Sequence, residues 1–255
     1  MQRFLVRAML GAFAFASLSG ITRLDAQAVP AAASGAAMPT VAGVYDKFAT
    51  AVGGRDAWAQ VVGRTEKGTV NVTFAGLTGS YTRYNGAPNR IRMIIDLDVT
   101  KIDQGFDGKV GWTAQGDGPA TRMPADVEAN TAETARTGNS FLDATRFKEA
   151  KVAGVEEFDG VQCYKLDIVT ITGDKRTDYF ETATGLRRGT VTSAPTGMQT
   201  ATFREYKAFD GKKVATLVTQ KTDQGDVVIT ITDVVFGEPA AGVFTSPLGG
   251  GGVRD

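Results

Sequence analysis

Apolar residues recur at helical spacing near the start of the chain and at every second position over most of the rest. Thr40 is a suitable N-cap for a helix that continues to the glycines at 53 and 54. The apolar face of this predicted helix consists of Val41, Val44, Tyr45, Phe48 and Val52. A second short helix is predicted over residues 55–62, with Trp58 on its apolar side.

Alternation with a period of two begins at residue 65 and predicts β-strands. In the clearest segment, "NRIRMIIDLD" (89–98), the alternating apolar residues are Ile91, Met93, Ile95 and Leu97. Further strands are predicted in "GTVNVTF", "KVGWTA", "VQCYKLDIVTI", "RTDYFET", "GLRRGTVTS", "TATFREYKAF", "KVATLVTQKT" and "DVVITITDVVF". Turn pairs such as Asp-Gly separate most of them, so the pattern predicts an antiparallel sheet of about ten strands.

One segment interrupts this series of strands. Residues 124–150 are rich in Ala and Glu and poor in β-branched apolar residues, which predicts one or two helices inserted between two sets of strands. A sheet of about ten strands must curl, split into two layers or close. Because most of its strands are apolar on one face only, that face needs a cover. The sequence therefore predicts an α+β fold in which a strongly curved antiparallel sheet is covered by a few helices.

The tripeptide Phe-Asp-Gly occurs three times at similar intervals, at 106–108, 158–160 and 209–211. Near-equal spacing is compatible with a repeat architecture. However, the flanking segments "KVGWTAQ", "VQCYKLD" and "KKVATLV" share only their alternation. Asp-Gly between two alternating segments is typical of a β-hairpin turn. We therefore predict that each copy marks a hairpin corner of one sheet.

The composition of the two ends of the chain predicts a cleaved signal peptide and flexible terminal segments. Residues 1–28 combine Arg3 and Arg7 with the apolar stretch "AMLGAFAFASLSG" and end in "AQA", a pattern typical of a secretory signal peptide. Residues 29–39 are predicted to form a flexible lead-in, residues 40–247 a single domain, and residues 248–255 a disordered glycine-rich tail. The protein is therefore expected to be exported to the periplasm and to be soluble there after cleavage.

Charge and side-chain chemistry argue against nucleic-acid binding, nucleophilic catalysis and metal binding. The sequence has 28 basic and 28 acidic residues, and removal of residues 1–28 leaves 25 and 27, which does not favour nucleic-acid binding. Because no histidine occurs, a Ser-His-Asp triad is excluded, and Cys163 is interpreted as a strand residue rather than a nucleophile. The aspartates of "DLDVTKIDQGFDG" lack the ligand order of a calcium loop. The sequence therefore predicts no cofactor, no metal and no catalytic site.

Large apolar side chains on the predicted sheet and helices are candidates for a ligand site. A curved sheet of this size can enclose space as well as side chains. Met93 is adaptable and suits a wall that faces an apolar ligand. The residues predicted to line a hydrophobic cavity are Trp58, Phe74, Ile91, Met93, Ile95, Trp112, Tyr164 and Phe203.

An ordered set of segments resembles the LolA/LolB-like periplasmic lipoprotein carriers, in particular the outer membrane lipoprotein-sorting proteins. The segments are "VGGRDAWAQV", "GAPNRIRMII", "GFDGKVGW", "FDGVQCYKLDIVTITGDKRTDYFETATGLRRG", "EYKAFDGKK" and "GVFTSP". The resemblance implies an incomplete, half-open β-barrel whose cavity shields acyl chains. In those carriers an early-strand arginine helps to hold the helical lid. Arg90 and Arg92 are the nearest matches, although alternation turns both outward.

Two functions remain open at this point. The first is a non-enzymatic periplasmic carrier that binds a lipid or acylated lipoprotein, acts as a monomer and contacts the membrane transiently. The second is an envelope scaffold that binds a protein partner and has a filled core without ligand. An open apolar cavity favours the first function, and a filled core favours the second.

Overall fold

The computed structural model describes residues 37–194, 197–240 and 242–248. The predicted signal peptide (1–28), most of the predicted lead-in (29–39) and almost all of the predicted tail (248–255) lie outside the described residues. The helices and strands named below all belong to the described part of the chain.

Two helices precede the sheet, and each begins where the sequence predicts it. Helix α1 covers Val41–Ala51, and the Thr40 hydroxyl caps it by accepting a hydrogen bond from the Gly43 amide at 3.0 Å. Helix α2 is a short helix over Arg55–Ala59. The buried side chains of α1 lie at helical spacing on one face, as the apolar pattern predicts.

Thirteen strands form the sheet, more than the ten or so that the sequence predicts. Their bounds are β1 Gly63–Val72, β2 Leu77–Gly86, β3 Arg90–Asp96, β4 Lys101–Phe106, β5 Gly111–Gln115, β6 Thr121–Arg122, β7 Glu149–Phe158, β8 Val161–Val169, β9 Lys175–Glu181, β10 Arg187–Ala194, β11 Gly197–Phe209, β12 Lys212–Thr222 and β13 Gly225–Phe236. The four that the alternation does not predict are β2, β4, β6 and β7. In β2 the reason is chemical: Tyr81, Arg83 and Asn85 share one face, so apolar and polar residues do not separate.

All neighbouring strands in the sheet are antiparallel, and the chain forms two meanders. One runs from β1 out to β6, and the other runs from the opposite edge strand β7 back to β13. The first and last strands pair in the middle of the sheet, where Arg64 lies opposite Phe236. The result is one open, curved sheet whose edges are β6 and β7.

The segment between β6 and β7 connects the two edges of the sheet. It contains one α-helix, α3 (Ala125–Thr134), and two short 3-10 turns over Ser140–Leu142 and Ala144–Arg146. The predicted helical insert at 124–150 is therefore correct for its first part, and its last two residues belong to β7 instead. None of the helices among the described residues is long and apolar enough to cross a bilayer.

Each Phe-Asp-Gly tripeptide lies in a hairpin corner, as predicted. The second and third copies join β7 to β8 and β11 to β12. Their Asp and Gly residues all have positive φ angles, at Asp159, Gly160, Asp210 and Gly211, which is the conformation of a type I′ turn. The first copy joins β4 to β5 through a longer loop, in which the Asp107 carboxylate accepts hydrogen bonds from two backbone amides.

Helix α1 packs against the face of the sheet that we call the inner face. The rings of Tyr45 and Phe48 lie 5.2 and 5.3 Å from the ring of Phe180 on β9. Such tilted aromatic pairs add to the stabilisation that burial provides. These contacts fill one end of the concave sheet, where Lys47 of α1 donates to the carbonyl of Thr182.

Candidate functional site

A cavity of about 660 Å³ lies between the inner face of the sheet and the segments that cover it. Its walls come from α1 and α2, from β1–β5 and β9–β13, and from the connection that carries α3. Ile171, in the turn between β8 and β9, lines the cavity and is also among the most exposed apolar residues. The volume is typical of sites that hold a small molecule or part of a larger one.

Trp58 provides an aromatic wall at the base of the cavity. Its ring lies edge-on to Phe141 and Phe236, with centroids 4.8 and 5.6 Å away. The indole N–H donates to the carbonyl of Val52 at 3.0 Å. Because that polar group is satisfied inside the protein, the ring surface facing the cavity is purely apolar.

Ile91 and Met93 lie on the inner face of β3 and line the cavity. Met93 lies opposite Arg83 on β2 and opposite Gln104 on β4. Ile91 lies opposite Asn85 on β2. On this wall, Met93 therefore has polar side chains as its neighbours on both adjacent strands, and Ile91 has one on β2.

Phe203 lines the cavity from β11. The guanidinium carbon of Arg187 lies 4.4 Å from the centroid of its ring, a typical cation–π distance. The structure thus brings together four of the residues predicted from the sequence around one cavity, from α2, β3 and β11. They are Trp58, Ile91, Met93 and Phe203.

Two other predicted residues share the inner face but belong to the packed core. Ile95, two positions after Met93, is fully covered. Tyr164 on β8 lies opposite Phe180, which itself packs under α1. Neither side chain lines the cavity: Ile95 belongs to the hydrophobic core, and Tyr164 packs against it.

The last two predicted residues do not line the cavity either. Phe74 lies in a 3-10 turn after β1, next to Gly225, and not on a strand as predicted. Trp112 lies on the outer face of the sheet, since it is opposite Gly105, which is in turn opposite Arg92. A Cβ atom on Gly105 would lie only 2.5 Å from the Trp112 ring, so this ring covers the glycine on the face away from the cavity.

Arg90 and Arg92 hold the C-terminal segment rather than a helical lid. Both lie on the outer face, as their alternation indicates. Arg90 pairs with Glu238 at 2.5 Å, and Arg92 donates to the carbonyl of Val243 at 2.9 Å. The lid contact implied by the family resemblance is therefore replaced by contacts to the chain that follows β13.

Charged groups on β1 and β2 form one polar wall of the cavity. Glu66 is almost completely buried, and Arg64 contacts its carboxylate at 3.0 Å. Arg83 lies directly opposite Glu66 on β2. Burial, together with the charge of Glu66, raises the pKa of the nearby Tyr81 hydroxyl, so this phenol is neutral at physiological pH.

A second charged group lies on β9 and β10. Asp178 has no exposed surface, and its Oδ2 atom lies 3.1 Å from Arg176 and 3.9 Å from Arg187. Burial opposes the charged form of this carboxyl, but the two arginines outweigh it, and the pKa of Asp178 is lowered. Both arginines line the cavity, with the carboxylate behind them.

A third group of charged side chains lies on the connection between β6 and β7, which covers the cavity. Glu133 of α3 contacts Arg136 and Arg146 at 2.7 Å each. Arg146 also donates to the carbonyl of Ser140, so this group ties α3 to the turns that follow it. All three charged side chains line the cavity.

The polar part of this site does not follow from the apolar alternation of the sequence. Arg64, Glu66 and Arg83 are not predicted site residues, because charged residues on a strand usually face solvent. The available signal is "TGSYTRYNG", in which a tyrosine, an arginine and an asparagine recur at every second position. Within the described part of the chain, no group of three or more His, Cys, Asp or Glu residues is arranged to hold a metal ion.

Comparison with known proteins relates the fold to solved structures. No protein-family model matches the sequence, and no curated protein matches it. A LolA superfamily protein from Nitrosomonas europaea superposes with a TM-score of 0.55 at 12% identity, over 82% of this chain and 99% of that chain. A DUF1329 family protein from Desulfovibrio piger gives 0.51 at 14% identity, over 77% and 92%. At these identities the likeness concerns the fold, and this chain has the fold of the LolA superfamily.

Proposed function

We propose that this protein is a non-enzymatic periplasmic carrier that holds an acyl chain of a lipid or an acylated lipoprotein in its cavity. The observation that carries the proposal is the cavity of about 660 Å³ between the sheet and its cover. A protein that only scaffolds has no use for such a space, since interiors are normally packed without voids. The fold likeness to a LolA superfamily protein supports the proposal.

The apolar part of the cavity suits an acyl chain. Trp58, Phe141 and Phe203 offer ring surfaces, while Ile91 and Met93 offer an aliphatic wall. Each methylene removed from water contributes about 0.8 kcal/mol, so about ten methylenes contribute about 8 kcal/mol before the cost of association. Met93 is unbranched and adapts its shape, which suits a chain that enters and leaves.

The proposed location rests on the sequence. The signal-peptide pattern of residues 1–28 directs the chain to the periplasm. We infer that the protein acts there as a monomer and touches a membrane only while cargo transfers. A protein of the envelope that donates or accepts the cargo is the expected partner.

Native mass spectrometry of the purified protein tests the proposal. The wild-type protein should retain bound lipid, and Met93→Arg should abolish retention because it places a long charged side chain inside the cavity. Val235→Arg is the matched control, since the Val235 side chain is exposed and lies near the C-terminal end of β13. This control should retain lipid as the wild type does.

Two results would contradict the carrier function. One is wild-type protein that is free of lipid and takes up no neutral apolar fluorophore. The other is equal lipid retention by Met93→Arg and wild type.

The envelope scaffold is the second candidate function. It predicts constant capture of the same protein partner whether or not the cavity is blocked. Pull-down with the Met93→Arg variant separates the two functions, because a carrier loses its cargo-dependent partner and a scaffold does not.

A further inference from the structure

Basic residues outnumber acidic residues around the cavity, although the whole sequence carries 28 of each. Six arginines and three lysines line the cavity, together with Glu66, Glu133 and Asp174. The buried Asp178 adds one more carboxylate behind this lining. Nine positive charges against four negative charges leave the cavity with an excess of five. A cavity lined in this way attracts an anion.

Arg83 differs from the other five arginines of the cavity. Arg64, Arg136, Arg146, Arg176 and Arg187 each have a described carboxylate within 4.0 Å.

Arg83, by contrast, forms no ion pair within that distance with any carboxylate in the described ranges, although Glu66 lies opposite it. Its guanidinium interacts with the Tyr81 hydroxyl, which is neutral. Arg83 is partly buried, and Glu66 attracts its charge through space, but no described carboxylate contacts its guanidinium. A partly buried charge that no carboxylate contacts is costly, so this position suits an anionic ligand.

Hydrogen-bonding capacity on the same wall is also unused. The Nε atom of Arg83 is buried without a partner among the described residues, and so is the hydroxyl of Thr113 on β5. The inner face carries Arg83, Met93, Gln104 and Thr113 in one row across β2, β3, β4 and β5. Buried donors without partners are rare in proteins and here face the cavity.

We propose that the ligand is an anionic amphiphile whose carboxylate or phosphate group pairs with Arg83 while its chain lies against Met93, Ile91 and the aromatic rings. This inference rests on the proposed carrier function and adds the chemical class of the cargo. A planar guanidinium binds carboxylate and phosphate groups in the same two-point geometry. The neutral Tyr81 beside it adds no competing negative charge.

A series of amphiphiles with one chain length tests this inference. Laurate, dodecyl phosphate, dodecanol and dodecyltrimethylammonium are titrated as competitors of N-phenyl-1-naphthylamine, a neutral apolar fluorophore, bound to the delipidated full-length protein. The wild type should bind the two anions about tenfold or more tightly than dodecanol, and the cation most weakly. The ratio between laurate and dodecyl phosphate identifies the preferred head group.

Variants at Arg83 assign the preference. Arg83→Met keeps the length of the side chain without the charge and should remove the preference for anions while the fluorophore still binds. Arg83→Lys should keep part of it. Lys151→Met, which removes an exposed positive charge on the outer face of β7, is the control for net charge and should behave as the wild type. Arg83→Met should fold, since it removes a charge without an ion-pair partner.

The outcomes distinguish this inference from the function on which it rests. If dodecanol competes as well as laurate and dodecyl phosphate in the wild type, the head-group inference is wrong and the carrier function stands. An anion preference that persists in Arg83→Met also overturns it. If neither the fluorophore nor any chain binds, the carrier function fails and the head-group inference fails with it.

Discussion

Asp178 is the residue whose replacement tests the electrostatics of the cavity most directly. It has no exposed surface and lies between Arg176 and Arg187, and the Tyr45 hydroxyl donates to it at 3.4 Å. Asp178→Asn keeps the shape of the side chain and removes its charge. The two arginines then remain in the wall of the cavity without their carboxylate.

The expected destabilisation is about 3 kcal/mol. Removal of one partner from a buried ion pair costs about 3–5 kcal/mol. The side chains of Arg176 and Arg187 keep 22% and 27% of their surface exposed, so water solvates them in part. This partial hydration favours the lower end of the range.

The effect depends on pH with a defined sign. The pKa of Asp178 is lowered in the folded protein, and in the unfolded chain it is about 3.9. The carboxylate therefore contributes stability fully above the unfolded value, and this contribution is lost as the pH falls from there through the folded pKa. The difference between wild type and Asp178→Asn should shrink over the same interval.

Urea unfolding followed by tryptophan fluorescence measures both effects. Both tryptophans, Trp58 and Trp112, are buried and report on opposite faces of the sheet. The control is Asp167→Asn, because Asp167 is 42% exposed and lies 3.7 Å from Lys151. An exposed pair of this kind contributes about 0–1 kcal/mol.

Two results would refute this account of Asp178. The first is a loss at neutral pH no larger than that of the Asp167 control. The second is a wild-type advantage that stays constant between neutral pH and pH values well below the unfolded pKa.

Three further predictions concern the outer face of the sheet. Gly105→Ala should destabilise the protein by about 1–3 kcal/mol in urea unfolding, because its Cβ would meet the Trp112 ring at 2.5 Å; wild-type stability would contradict this contact. Arg92→Met should speed amide hydrogen exchange around Val243, whose carbonyl it binds, while fluorophore binding in the cavity stays unchanged. Burial raises the pKa of the Cys163 thiol to about 11, so it should react with a disulfide reagent at pH 8 only after unfolding; immediate reaction in the folded state would show an accessible thiol.

The fold follows from the sequence more completely than the site does. Alternation predicts the strand that carries Ile91 and Met93 because its two faces differ in polarity. It does not predict β2, where Arg83 faces inward. A strand that lines a polar cavity wall has no apolar face, so a prediction based on apolar alternation overlooks the residues that contact a polar group of a ligand.

Trp112 illustrates a second limit of prediction from the sequence, which concerns the face of the sheet that a residue occupies. Its size and apolar character suggest the cavity, but only the register of β3, β4 and β5 determines its face. A shift of one residue reverses which face every side chain occupies. The register in turn depends on the loop that follows Phe106, which is longer than the two-residue turn that Asp-Gly predicts. The pattern of this segment therefore predicts that β5 exists, whereas the face that Trp112 occupies follows only from the register.

The pairing of β1 with β13 also determines when the cavity is complete. The central pair of the sheet joins the first strand of the chain to the last, from Arg64 opposite Phe236 to Val72 opposite Val227. Contacts so far apart in sequence form late, because closing a long loop precedes the gain from pairing. The concave surface is continuous only after the last strand pairs. A chain in which β1 and β13 are not paired therefore lacks the continuous cavity lining that the proposed carrier needs.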